Sequence, residues 1–462
     1  MQRRIILFLC MFAFCLPGLA FGDDLESRIR AMEETLNRQQ KTIEEQQKII
    51  KEMQEQIKQG SVAEKQGPGE KQPIAPVAVA PPAEQKPGEE QKSGKVTGLF
   101  GGSAMSNPNI SLVLNTFAFG SNQTSDQLQN QGIPGYTTTG LGLKNGFNGD
   151  AEISLFAPVD PYFNLYATIP ISFNGEVELE EAYFVTTALP QGHQLKGGKF
   201  RSGFSRFNAQ HEHAWDFTDT SLPYRAFLGE EGLIEPGAQY TYILPLPFYT
   251  LFGAEILQGQ NPTLFGEDAS NGPHAFTGYL KTSFDLSDYS TMLLGVSVVG
   301  GKTQTDTVQP NSLFTGNSVL YDLEMYYKWK PSKYQSFSLQ SEYMLRNQYG
   351  NLQDLGLDTP SYLERTQDGF YVQGVYQWDR WRFGARYDAL SIFTDTYNLA
   401  GQQQNFGPRP WRATAMVDWN LSEFTRIRLQ YIYDMTSGTG TTDNQVFLQL
   451  IFGIGAHAAH SF

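Results

Sequence analysis

About sixteen short segments of alternating apolar and polar residues run from Asn109 to Phe462, joined by connections that go short, long, short, long. From Trp411 to Trp419, Trp411, Ala413, Ala415, Val417 and Trp419 share one face, and Arg412, Thr414, Met416 and Asp418 the other. A strand turns its side chains over at every residue, so one face meets an apolar medium and the other a polar one. Charges recur opposite the aromatic face in strand after strand. That is the pattern of a closed transmembrane β-barrel and not of a soluble sandwich. The expected fold is an all-β antiparallel barrel over 109–462, preceded by an α-helical coiled coil and a Pro-rich linker.

The 462 residues carry a net charge of −14. Mean hydropathy is −0.37, and beyond the first ~20 residues no run is apolar for long enough to span a bilayer as a helix. Barrels hide in such averages, because half of each strand is polar. Residues 1–22 read as a secretory signal: Arg3 and Arg4, an apolar run from Ile5, then Ala20-Phe21-Gly22 as the cleavage site. Both cysteines, Cys10 and Cys15, lie within it. The mature chain therefore has no disulfide, thiolate metal site or cysteine nucleophile.

Residues 23–59 carry a heptad pattern. Ile29, Leu36, Ile43, Ile50 and Ile57 occupy position a, with Leu25, Met32, Gln39, Gln46 and Met53 at d. Such a seam predicts a coiled coil, and the expected assembly through it is a homotrimer. Residues 60–108 follow as linker and entry to the barrel, with Pro68, Pro73, Pro76, Pro81, Pro82 and Pro87 among Glu, Lys and Gln.

Strands are expected at 109–119, 150–158, 162–171, 175–187, 194–202, 235–244, 248–258, 274–285, 290–300, 318–330, 335–347, 368–379, 381–390, 410–420, 425–434 and 444–455. Long loops are expected near 120–149, 203–234, 259–273, 301–317, 348–367, 391–409 and 435–443. Trp329, Tyr334, Trp378, Trp381, Trp419 and Phe424 flank the short turns, as interfacial aromatic girdles do. The even strand count puts both barrel ends on the short-turn, periplasmic side.

The inward faces of the second half carry Asp322, Glu324, Lys328, Glu342, Arg346, Arg382, Arg386, Asp388, Arg412, Asp418, Arg426 and Arg428. Charges of both signs inside a barrel imply a water-filled lumen or a dense ion-pair network. For about sixteen strands an aqueous lumen is expected, too wide for side chains to fill. Loop 203–234 is too aromatic for a solvated flap: it holds Phe204, Phe207, Trp215, Phe217, Tyr224 and Phe227. It is expected to fold inward as the pore constriction, carrying Arg206, His211, Glu212, His213, Asp216, Asp219, Arg225, Glu230 and Glu231. Its acids are expected to face the wall arginines across a transverse field.

The architecture resembles that of trimeric outer-membrane porins, especially sugar porins with an N-terminal coiled coil. A more specific resemblance lies in Val159-Asp160-Pro161-Tyr162-Phe163, Glu180-Glu181-Ala182-Tyr183, the run from His211 to Phe217, the run from Leu228 to Gly232, and the last seven residues from Ala456. These are similar to the family often labelled zinc-regulated TonB-dependent outer-membrane receptors. A receptor of that type implies 22 strands and a plug of over ~100 residues. The residues before Asn109 read instead as coiled coil and spacer, so passive diffusion is expected.

The leading reading is therefore a porin-like channel in the bacterial outer membrane, passing small hydrophilic solutes or cations. Lipid and lipopolysaccharide are the expected surroundings, the coiled coil lies in the periplasm, and no nucleic acid is involved. A metal-related receptor or transporter, and a tether to the cell wall, are the alternatives. No cofactor is expected, although His211 and His213 form a candidate zinc pair with Asp216 or Glu212 as a third ligand. His457 and His460 read as a strand end. Ser205 with His211 or His213 could be drawn as a dyad, but no Gly-x-Ser-x-Gly elbow accompanies it, so no enzyme is expected. Residues 96–462 hold 34 acids and 20 bases, which favours cations or neutral solutes.

Overall fold

A computed structural model describes residues 108–137, 140–266, 272–303, 312–354, 360–438 and 440–455. The signal segment, the coiled coil at 23–59, the linker up to residue 107, and His457, His460 and Phe462 lie outside the described residues.

Among the described residues, sixteen strands follow one another around a closed antiparallel barrel. They are β1 (Asn109–Ser121), β2 (Gly146–Asp160), β3 (Phe163–Ser172), β4 (Glu181–Thr186), β5 (His193–Arg201), β6 (Ile234–Ile243), β7 (Tyr249–Leu257), β8 (Ala275–Ser287) and β9 (Ser290–Thr303). Then come β10 (Ser312–Ser332), β11 (Gln335–Asp354), β12 (Ser361–Trp378), β13 (Trp381–Leu399), β15 (Trp411–Ser422), β16 (Thr425–Asp434) and β17 (Asp443–Gly455). The two-residue β14 (Gln402–Gln403) only folds back on β13 as a hairpin. Pairing of β1 with β17, in register from Ser111↔Gly455 to Ser121↔Gln445, closes the ring and leaves no open edge. Both barrel ends lie on the short-turn side.

The faces follow the alternation. Arg412, Thr414, Met416 and Asp418 are buried inward, while Ala415, Val417 and Trp419 are exposed outward. Phe276, Leu280, Val296, Leu323, Phe383, Leu429 and Leu448 continue the outer apolar surface around the ring. A belt of this kind on a barrel is satisfied by hydrocarbon, not by water. Trp378, Trp381, Trp419 and Tyr334 are exposed beside the short turns, where half-apolar rings meet headgroups.

Two local departures from expectation have physical causes. The expected strand 175–187 is shortened to β4, 181–186. The Glu178 and Glu180 main-chain N–H groups still donate to the Pro170 and Thr168 carbonyls, at 3.1 and 3.0 Å, but Pro170 has no N–H to return and the regular ladder stops. The loops expected at 301–317, 348–367 and 391–409 are instead largely strand, because β10 to β13 run for 21, 20, 18 and 19 residues. At ~3.3 Å per residue these hairpins reach roughly 60–70 Å, about twice the thickness of a ~30 Å hydrocarbon core. They project beyond it on the long-loop side.

The lumen is not empty. An apolar core sits inside the ring, with Phe204, Phe207, Trp215, Leu222, Tyr224, Phe227 and Leu228 from loop 203–234 at its centre. Ile133 and Tyr136 from the first long loop, and Leu264 and Phe265 from the loop after β7, join it. Loops, and not the wall's own side chains, occupy this part of the lumen. Arg346, Arg412 and Arg428 are fully buried against it.

Candidate functional site

The inserted loop is shaped by its own sequence and completed by the wall. Its helix α1 (Leu222–Phe227) starts after Ser221 with Pro223 in the first turn, where a missing N–H costs nothing. Ser221 makes no side-chain cap; the Leu222 N–H donates instead to Asp388 of β13 at 3.0 Å. Gly229, at φ +87°, ends the turn in the left-handed conformation that favours glycine. Within the loop, the Asn208 side-chain amide donates to the Ser202 and Leu233 carbonyls and accepts from the Leu233 N–H, tying the two ends together.

Along the wall from β8 to β16, neutralised contacts hold the loop. The Arg206 N–H donates to Glu324 at 2.7 Å, and its guanidinium lies 3.9 Å from the Tyr326 ring centre. Glu324 also pairs with Lys281 at 3.1 Å. Glu342 stands opposite Glu324 in register, a like-charge pair. It accepts from the Tyr224 and Tyr371 hydroxyls at 2.7 and 2.6 Å. Asp216 pairs with Arg382, which also contacts Asp418 at 3.0 Å. Asp219 receives Arg386 at 2.6 Å, Arg412 at 3.1 Å and the Gln430 amide at 2.7 Å. Arg428 binds Asp418 at 2.7 Å and donates to the Trp215 carbonyl at 3.1 Å. Arg346 donates to Gln367 and to the Ala226 carbonyl, and lies against the rings of Phe227 and Tyr136. Arg426 is more remote, 3.9 Å from Asp418.

Not every acid of the loop reaches a wall arginine. Asp216 and Asp219 do. Glu230 pairs with Arg225 of its own loop at 3.1 Å. Glu212 and Glu231 are exposed, and from residue 231 only the main-chain carbonyl is engaged, by Arg201. The expected transverse field between opposed rows is therefore corrected: where acid and arginine meet, they touch. Touching charges neutralise each other and leave little open field. Burial alone would raise the Asp219 carboxyl, but Arg386 and Arg412 outweigh it and hold the group below its ordinary range. Asp216 is lowered in the same way by Arg382 and Arg428.

On the opposite wall the two histidines meet carboxylates. His211 Nε2 lies 3.0 Å from Glu181, and its Nδ1 lies 3.6 Å from Glu180 and 3.8 Å from Glu152. His213 Nδ1 is 3.1 Å from the same Glu152 oxygen. Burial would lower the His211 imidazole, yet Glu180 and Glu181 carry it up to about 10. Asp216 and Glu212, the expected third ligands of a histidine pair, are not the partners; Glu152, Glu180 and Glu181 are. A Glu-Glu run marks Glu180 and Glu181 in the sequence, and nothing marks Glu152. Their meeting with the loop depends on ring closure, and that of Tyr136 and Asn261 on two other long loops that reach the same core. Ser205 hydrogen-bonds Tyr224 rather than either histidine, so the drawn dyad is absent.

Below the loop, towards the short turns, lies a polar cavity of about 560 Å³. Arg206, Lys328, Arg380, Arg382 and Arg426 line it against Asp216, Asp379 and Glu423. Above the loop, a cavity of about 30 Å³ lies between Arg225, Asp434 and Gln445.

No family model matches the chain. Among solved structures, the outer membrane channel DcaP of Acinetobacter baumannii is 14% identical, with 75% of this chain and 97% of that one covered and a TM-score of 0.49. The anion-selective porin of Comamonas acidovorans is 10% identical, with 75% and 99% covered and a TM-score of 0.48. An uncharacterized protein of Aquifex aeolicus (strain VF5) is 38% identical over 382 residues, which are 77% of this chain and 80% of that protein. The chain belongs to the same family as that Aquifex aeolicus protein.

Proposed function

We propose that the protein is a porin-like outer-membrane channel for passive diffusion of small hydrophilic solutes, in which loop 203–234 sets the passage. The observation that carries this reading is the loop itself. A sixteen-strand ring encloses it, and ion pairs to Asp216 and Asp219 hold it to arginines of the wall. A purely structural barrel needs no polar cavity of about 560 Å³ beneath its inserted loop. In that cavity five basic side chains stand against three acidic ones. This local charge weighs against the cation preference expected from the net charge of the whole chain, since selectivity follows the narrow zone and not the surface.

Assembly as a homotrimer through residues 23–59, with that segment in the periplasm, belongs to the same reading and rests on the heptad pattern alone. Cross-linking of the purified full chain should trap trimers, and removal of residues 23–59 should reduce their yield.

Planar-bilayer recording of the purified protein tests the channel. Discrete conductance steps are expected, small while the loop is held and larger once it is released. A protein that inserts but never conducts, even with the loop's ion pairs removed, would overturn the proposal.

A further inference from the structure

We infer that His211, Glu152 and Glu180 form a binding site for one divalent transition ion of the zinc type, clamping the inserted loop to the wall built by β2 and the segment entering β4. The His211 Nδ1, Glu152 Oε2 and Glu180 Oε2 atoms converge: ligand atoms of the three residues lie within 4.8 Å of one another. From Nδ1 the distances are 3.8 Å to Glu152 and 3.6 Å to Glu180. Ligands at ~2.0–2.2 Å in a tetrahedron stand roughly 3.3–3.6 Å apart. A small inward adjustment therefore brings all three onto one ion.

The surroundings match the arrangement that such ions use. A metal-bound imidazole commonly donates its other ring N–H to a carboxylate, which fixes the ring and raises its basicity. Here the far nitrogen, Nε2, lies 3.0 Å from Glu181. Glu181 is itself fixed by the Arg201 N–H at 2.7 Å. His213 Nδ1 lies 3.1 Å from the shared Glu152 oxygen and helps to fix that carboxylate.

Charge and chemistry select the ion. Three carboxylates are gathered here against the single guanidinium of Arg201. A bound dication offsets that excess. Imidazole with carboxylate favours zinc and its neighbours over magnesium and calcium, which take all-oxygen shells. The loop supplies the histidine and the wall supplies the acids, so the ion would cross-link them.

The test is zinc uptake by the purified full-length protein, measured by equilibrium dialysis with ZnCl₂ and elemental analysis, with magnesium and calcium in parallel. One zinc per chain is expected, with at least tenfold weaker binding in His211→Gln and in Glu180→Gln. Heat-modifiable gel migration establishes that each variant still forms the barrel. X-ray absorption should show a first shell of nitrogen and oxygen that includes imidazole. Absence of stoichiometric zinc, equal binding by the folded variants, or equal uptake of calcium would overturn the site. None of these readouts depends on conductance, so the channel proposal stands or falls separately.

Discussion

Arg386 of β13 holds Asp219 of the inserted loop twice, donating from Nη2 to the carboxylate at 2.6 Å and from Nη1 to the main-chain carbonyl at 2.9 Å. Its Nε donates to Asp388 at 3.0 Å, and Asp388 in turn accepts the first N–H of helix α1. One wall arginine therefore organises both the acid of the loop and the start of its helix.

Arg386→Ala leaves two carboxylates facing each other with only Arg412 between them. Breaking a buried pair from one side costs about 3–5 kcal/mol, and the loss falls on the loop, because the barrel ladder is intact without it. Single-channel conductance should rise, with larger and noisier steps, while gel migration of the folded barrel stays unchanged. Unaltered steps would mean that the loop does not limit passage.

Acid should release the loop late. The Asp216 and Asp219 carboxyls lie below their ordinary value when the loop is seated. Their stabilisation is therefore full above the unfolded value of ~3.9 and is lost as pH falls through the lower seated value. Conductance should stay flat from neutral pH to about 4 and increase only in stronger acid. A rise centred near neutrality would point to other groups.

The aromatic half of the anchor is separable from the charged half. Phe227 is fully buried against Tyr136 and Arg346. Phe227→Ala should cost about 3–5 kcal/mol of local stability. Limited proteolysis should then cut within 203–234 at rates well above wild type, with β-sheet circular dichroism unchanged.

Selectivity should respond to Asp216 and not to Glu212. Asp216→Asn removes an acid from the cavity lined by Arg206, Arg382 and Arg426, so reversal potentials in a salt gradient should shift towards anions. Glu212 is exposed and outside that lining, and Glu212→Gln should leave the potential within error of wild type.

Alternation alone made the barrel legible. Side chains of β15 face where their parity in the sequence puts them, because a strand has no other choice. The strand count, the short turns and the aromatic residues beside them follow from the same local rule. The aromatic content of loop 203–234 also foretold burial, since Trp215, Tyr224 and Phe227 have no comparable shelter outside the ring. What parity cannot reveal is which inward side chains share a height around the closed ring. That depends on the register of every pair and on where the loop descends.

Asp219 and Glu230 look alike in the sequence, yet one meets Arg386 and Arg412 of the wall and the other turns back to Arg225. His211 and His213 suggested a metal pair, but Glu152 and Glu180 come from positions far enough away that no spacing rule connects them. The number of strands, their faces and the inward fate of the loop are legible in the chain, because those depend on periodicity and apolar burial, whereas strand lengths are not. Which acid meets which base, and which residues of three loops share one apolar core, emerge only in the folded ring. Those outcomes depend on ring closure, which brings together residues that the chain keeps hundreds of positions apart.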